Sequence, residues 1–117
     1  GLRYHGDSPL VSQLLHEGLL EAVAVPQVAT FEAGVQFARA EGIIPAPESC
    51  HAIRAAIDEA LRCKVTGEPK TILIGLTGHG HFDMASYDKY FTHQLEDYEY
   101  PADAITASLA HLPKVGA

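Results

Sequence analysis

This sequence has no long apolar run. Its longest apolar stretches, Leu19 to Pro26 with Glu21 inside it and Ile72 to Leu76, fall far short of the ~20 residues that a membrane helix needs. Cysteine is scarce: Cys50 and Cys63 are too few and too unpatterned for a disulfide framework, and both fall in a helical stretch where buried thiols are ordinary. A reducing cytoplasm is the expected setting. Cations are in deficit, with 8 Lys and Arg against 15 Asp and Glu and a net charge of -7. A nucleic-acid backbone or an anionic membrane would have to bind against that mean field, so neither is an expected partner. No basic segment leads into an apolar run near Gly1, so the residues present carry no secretory signal. Methionine occurs once, at Met84, and the chain opens at Gly1, although a methionine before glycine is commonly removed. Internal repeats and low-complexity segments are lacking as well.

What is present suits one domain. The 117 residues are 47% hydrophobic, which allows a single modest core and leaves no room for a second. Ser8-Pro9 opens a helix reaching about Glu17, where Gly18 stops it. Leu19 to Val25, closed by Pro26, reads as a buried short strand. Phe31, Val35 and Ala38 recur at helical spacing in a helix from about Ala29 to Glu41, with Gly42 as its stop. Ile43-Ile44 reads as a very short strand, and Pro45-Ala46-Pro47 forces extended backbone into a helix whose face is Ile53, Ala56, Ile57, Ala60 and Leu61. Thr66-Gly67 ends that helix. Thr71 to Leu76 is the clearest strand signal, followed by the glycine-rich turn Thr77-Gly78-His79-Gly80-His81 and a helix from about Asp83 to Leu95. Residues 96–117 read as a C-terminal linker and helix.

Strands alternating with helices, the strands nearly all apolar, predict an α/β fold: a small three-layer arrangement with a short, mostly parallel sheet flanked by helices. Three strands are few, since sheets average ~5–6. The sheet is therefore expected to need further strands along its open edges, from elsewhere in a longer chain or from a second copy.

Ligands of open α/β sheets bind beyond the carboxyl ends of the strands, which directs attention to the loops after Ile44 and Leu76. The turn from Thr77 to Asp83 places a hydroxyl, free N–H groups and two imidazoles at a helix start, a seat for an anion or a polar ring atom. The same glycines also suit a tight turn with no ligand. Glu48 aims a carboxylate at the same rim, where a helix N-terminus favours negative charge anyway. His79-x-His81-x-Asp83 resembles the zinc motif of metallo-beta-lactamase-like hydrolases, but the pattern breaks at Met84. The other histidines read as surface or partly packed residues, Asp58-Glu59 and Glu96-Asp97 as solvated charge, and the Tyr87, Tyr90 and Phe91 cluster as helix packing.

Three stretches carry a more specific resemblance: Gly1-Leu2-Arg3-Tyr4-His5-Gly6; Glu41 to Ser49 with His51-Ala52; and the strand into Thr77-Gly78-His79-Gly80-His81-Phe82-Asp83. In that order they resemble the C-terminal third of tryptophan synthase beta chains, and Arg3 with the Gly-His-Gly-His-Phe-Asp turn resembles the divergent beta-like branch. The resemblance implies the pyridoxal-phosphate-dependent fold of that family, fold type II, with residues 1–117 as a single C-terminal segment. It implies a lyase that makes L-tryptophan from indole and L-serine, and a parent chain that is a homodimer and can meet a tryptophan synthase alpha chain. Thr77 corresponds to the hydroxyl that hydrogen-bonds the cofactor's pyridine nitrogen, Glu48 to the carboxylate near its ring, and Gly78 and Gly1 to backbone beside it. The carbonyls of Tyr4 and Gly6 correspond to a monovalent-cation site. Arg3 replaces an aspartate that handles the serine hydroxyl, which makes a substrate with an anionic leaving group, such as O-phosphoserine, thinkable. The family's Schiff-base lysine, phosphate cup and catalytic glutamate lie upstream of the matching stretch, so no catalytic residue is expected here and the piece alone is expected to be inactive. The alternatives are a non-catalytic binding or assembly module and, behind it, a zinc hydrolase.

Overall fold

A computed structural model of the chain describes residues 8–99, 101–110 and 112. Among them run five α-helices: α1 (Pro9–His16), α2 (Gln27–Glu41), α3 (Pro47–Thr66), α4 (Met84–Phe91) and α5 (Ala102–Leu109). A 3-10 turn, Gly80–Phe82, precedes α4. Gly1, Arg3, Tyr4, Gly6, His111 and Lys114 lie outside the described residues.

Local chemistry sets the helix limits. Proline occupies the first turn of α1 and of α3, where its missing N–H costs no hydrogen bond. Gly42 and Gly67 close α2 and α3 in the left-handed region, each at φ 72°, returning an N–H to the carbonyls of Ala38 and Cys63 respectively. Ser8 precedes α1 but its hydroxyl makes no cap bond. The N-terminus of α2 is capped from far along the chain: Val28 N donates to Asp97 Oδ1 at 3.0 Å, and beside it the Gln27 side-chain amide donates to the Glu96 carbonyl. Helix α4 stops at Phe91, short of the expected Leu95. The Thr92 hydroxyl bonds back to the Asp88 carbonyl at 2.8 Å, and His93 takes φ 55°, which turns the chain out of the helix and leaves His93 beyond it.

The core lies where α2 crosses α3 and α4 covers them. Phe31, Cys50 and Tyr87 form its centre, with Val35, Tyr90 and Leu95 packed against it. Phe31 meets Tyr87 edge-on at 5.1 Å and stacks with Tyr90 at 6.0 Å, so Tyr87 and Tyr90 are packing residues, as their spacing predicts. Burying Phe31 and Ile53 contributes about 1.5–3 kcal/mol each by apolar transfer, and edge-on ring contact adds about 0.5–1.5 kcal/mol. Close approach of α2 to α3 requires glycine: a Cβ on Gly34 would sit 2.5 Å from Cys50 Sγ and 2.9 Å from Tyr87 Oη. Only the first half of α3 is covered, since Ile53 is buried while Leu61 and Val65 are 52% and 87% exposed. Its second half is held by charge, with Arg62 and Lys70 both bonded to Glu59.

The expected α/β fold is corrected by this architecture. Among the described residues there is no strand and no sheet; β pairing is limited to one antiparallel bridge between Pro45 and His79. Leu19–Val25, Ile43–Ile44 and Thr71–Leu76 are the three segments read as strands. They are apolar but lie alongside no ladder partner, so their N–H and C=O groups form no sheet and side chains meant for burial stay outside. Leu73 is 95% exposed, and Val23 75%. Apolar continuity in a sequence reports a demand for burial, and a strand forms only where another backbone answers it.

Candidate functional site

The bridge that remains is the feature that builds the site. Ala46 N donates to the Gly78 carbonyl at 2.9 Å and Gly80 N to the Ile44 carbonyl at 2.8 Å, binding the loop before α3 to the loop before α4. Gly80 makes the approach possible, because a Cβ there would lie 2.6 Å from the Pro45 oxygen and 2.9 Å from Ile44 Cγ2. Gly78 is nearly as tight, with a would-be Cβ 3.2 Å from Ala46 Cβ. The glycines of this turn thus have a structural duty in seating one loop on the other.

On this joint the two loops meet through hydroxyls. Thr77 N donates to Ser49 Oγ at 3.2 Å, and Ser49 Oγ lies 3.2 Å from Thr77 Oγ1. Ser49 is 2% exposed, whereas Thr77 is open to solvent. Glu48 precedes Ser49 on the first turn of α3 and is also exposed. Thr77, Gly78 and the start of α3 carrying Glu48 therefore share one rim, joined by Ser49, a residue that sequence reasoning passed over as helix N-terminus. A serine two residues into a helix and opposite a threonine loop gives no local signal; the 28-residue separation hides it.

Behind the rim, the Tyr87 hydroxyl donates to the Pro45 carbonyl at 2.6 Å, and Cys50 Sγ lies 3.3 Å from the Tyr87 hydroxyl oxygen. Burial pushes the Tyr87 phenol far above its usual range, reinforced by the Cys50 hydrogen bond. Burial likewise raises the Cys50 thiol. Both groups are neutral at physiological pH and act as a fixed hydrogen-bonded strut.

The two imidazoles do less. His79 Nδ1 accepts the His81 N–H at 3.2 Å, starting the 3-10 turn, and Phe82 stands 88% exposed beside them. Among the described residues no group of three His, Cys, Asp or Glu side chains could hold a metal ion. His51 Nδ1 lies 3.1 Å from the Pro47 carbonyl and so donates to it. Among the described residues, Lys70 pairs with Glu59 and Glu68 at 3.1 and 3.5 Å, Lys64 is in the last turn of α3 and Lys89 in that of α4. An apolar cavity of about 220 Å³ is lined by Val35, Ala38, Ile44, Met84, Tyr87 and Phe91 with Arg39. No helix among the described residues is long and apolar enough to cross a membrane.

A buried serine bonded to an exposed threonine hydroxyl, with a carboxylate one residue before it at a helix start, forms the polar joint of the two loops. No family model matches the chain. Individual proteins do: tryptophan synthase beta chain 2 of Methanosarcina acetivorans is 70% identical over 95 residues, 81% of this chain and 22% of that protein. The Aquifex aeolicus beta chain 2 is 63% identical over 97 residues, and the Pyrococcus horikoshii tryptophan synthase beta chain 52% identical over 99 residues. Over the matched residues this chain belongs to the tryptophan synthase beta chain family. It spans about a fifth of the length of these relatives, 22% of each.

Proposed function

We infer that this chain supplies one rim of the cofactor pocket of a pyridoxal 5'-phosphate-dependent lyase that joins indole to L-serine, giving L-tryptophan and water. The observation that carries this reading is the Ser49-supported Thr77 hydroxyl at the joint of the two loops, in a chain of this family. The residues fit one edge of the cofactor. Thr77 offers a neutral hydroxyl to the ring nitrogen, Glu48 a carboxylate near the ring, and Gly78 the close backbone approach that a flat ring needs. The family resemblance puts the anchoring lysine and the phosphate cup upstream of this segment, and the described Lys70 is paired with Glu59 and Glu68.

When bound, pyridoxal phosphate supplies the electron sink that lets the serine hydroxyl leave and indole add. This chain's own residues orient that sink. A threonine hydroxyl is too weak an acid to protonate a pyridine nitrogen; Thr77 would only donate a hydrogen bond to it, which would leave the ring nitrogen unprotonated and would favour elimination. Glu48 presents its carboxylate at the rim from the first turn of α3, the end of the helix dipole that favours negative charge. Gly1 would place backbone beside the cofactor, and the carbonyls of Tyr4 and Gly6 would hold a monovalent cation. Arg3 would suit an anionic leaving group, such as that of O-phosphoserine. A cytoplasmic homodimer that meets an alpha chain is the matching assembly.

The test is Thr77→Val in a full-length beta chain carrying these residues. Weakened cofactor binding and a fall in tryptophan formation of about two- to tenfold, the scale of one lost neutral hydrogen bond, are expected. Unchanged affinity and turnover would remove Thr77 from the pocket.

A further inference from the structure

Ser49 has one hydrogen to donate, two lone pairs and almost no access to solvent. One lone pair is taken by the Thr77 N–H at 3.2 Å. Its hydrogen needs an acceptor, and the hydrogen bonds of the described residues offer it Thr77 Oγ1, also at 3.2 Å. Two arrangements are possible along that contact. If Thr77 donated to Ser49, the Ser49 hydrogen would be left buried without a partner, at 2% exposure, and a buried unsatisfied donor is strongly disfavoured. If Ser49 donates to Thr77, every Ser49 group is satisfied, and the Thr77 hydrogen turns outward to the rim, where the side chain is exposed.

We propose that Ser49 is a positioning residue which, by donating to Thr77 Oγ1, fixes the Thr77 hydroxyl as a hydrogen-bond donor toward the ligand. This deepens the cofactor reading and rests on it: the acceptor Thr77 addresses is then an unprotonated ring nitrogen. Ser49 Oγ takes the Thr77 N–H and in turn donates to Thr77 Oγ1, so the Thr77 hydrogen is directed away from Ser49 toward the rim. The rim therefore selects an aromatic ring with a lone pair over one carrying N–H, a specificity set one residue behind the contact.

The experiment loads a full-length beta chain carrying these residues with pyridoxal phosphate labelled with nitrogen-15 in the ring, and follows that resonance. Thr77→Val should move it toward the position of a pyridine without a hydrogen bond. Ser49→Ala should move it in the same direction, while Ser49→Thr, which keeps the hydroxyl, should leave it close to its original place. A shift with Thr77→Val but none with Ser49→Ala overturns the role of Ser49 alone. A shift as large with Ser49→Thr as with Ser49→Ala overturns it too, since the hydroxyl would then not be the cause. No shift with Thr77→Val overturns the cofactor reading beneath it.

Discussion

The Tyr87 hydroxyl donates to the Pro45 carbonyl across 42 residues of sequence, at 2.6 Å. That bond holds the loop before α3 against the body of α4, and through the Pro45–His79 bridge it holds the whole rim. Tyr87→Phe keeps the ring and its contact with Phe31 but leaves the buried Pro45 oxygen without its donor. A loss of about 1–3 kcal/mol is expected, read as a lower urea midpoint. A midpoint equal to that of the parent chain would show the strut to be dispensable.

Gly80 and Gly34 should tolerate no side chain. Gly80→Ala drives a methyl to 2.6 Å from the Pro45 oxygen, and Gly34→Ala to 2.5 Å from Cys50 Sγ. Overpacking of this kind costs about 1–3 kcal/mol. Gly75→Ala is the control, since its methyl would have only Thr77 Cγ2 near it, at 3.7 Å. Thermal unfolding of the three variants should separate the first two from the third.

Asp97 reaches over 69 residues to cap α2 through the Val28 N–H at 3.0 Å. Pro26, in the cap position, has no side-chain bond to offer. Asp97→Ala should cost about 1 kcal/mol and Asp97→Asn much less, as other helix caps behave. Equal losses for the two variants would show that the cap bond is not the cause.

Acid should loosen the second half of α3. The hydrogen bonds from Arg62 and then Lys70 lower the Glu59 carboxyl from 4.5 to about 2, and Arg54 lowers Asp58 in the same direction. A depressed folded-state value means the contribution is complete above the unfolded value and fades as pH falls from 4.5 toward 2. Both pairs are exposed, so the effect is small and weakens in salt. Helicity followed by circular dichroism should fall less on acidification in Glu59→Gln than in the parent. Identical acid profiles would contradict the assignment.

Helices were legible because their signals are local. Proline in the first turn, glycine at the stop and apolar residues at helical spacing lie within one segment, and α1 to α3 begin and end within about two residues of where those signals stand. Sheet was misread for the opposite reason. Ile72, Leu73 and Leu76 announce burial, but whether they form a strand depends on a second backbone that no residue among them specifies. Of the rim, Thr77 and Glu48 were visible from their motifs. Ser49, the Tyr87 strut and the Asp97 cap depend on contacts over 28 to 69 residues, which spacing along the chain does not encode.

A crystal structure of a full-length beta chain carrying these residues, with pyridoxal phosphate bound, tests the central claim most directly. The account predicts Thr77 Oγ1 within hydrogen-bond distance of the ring nitrogen, with Ser49 behind it and Glu48 beside the ring. A cofactor seated on another face of the protein, with Thr77 pointing to solvent or to an unrelated surface, would contradict it.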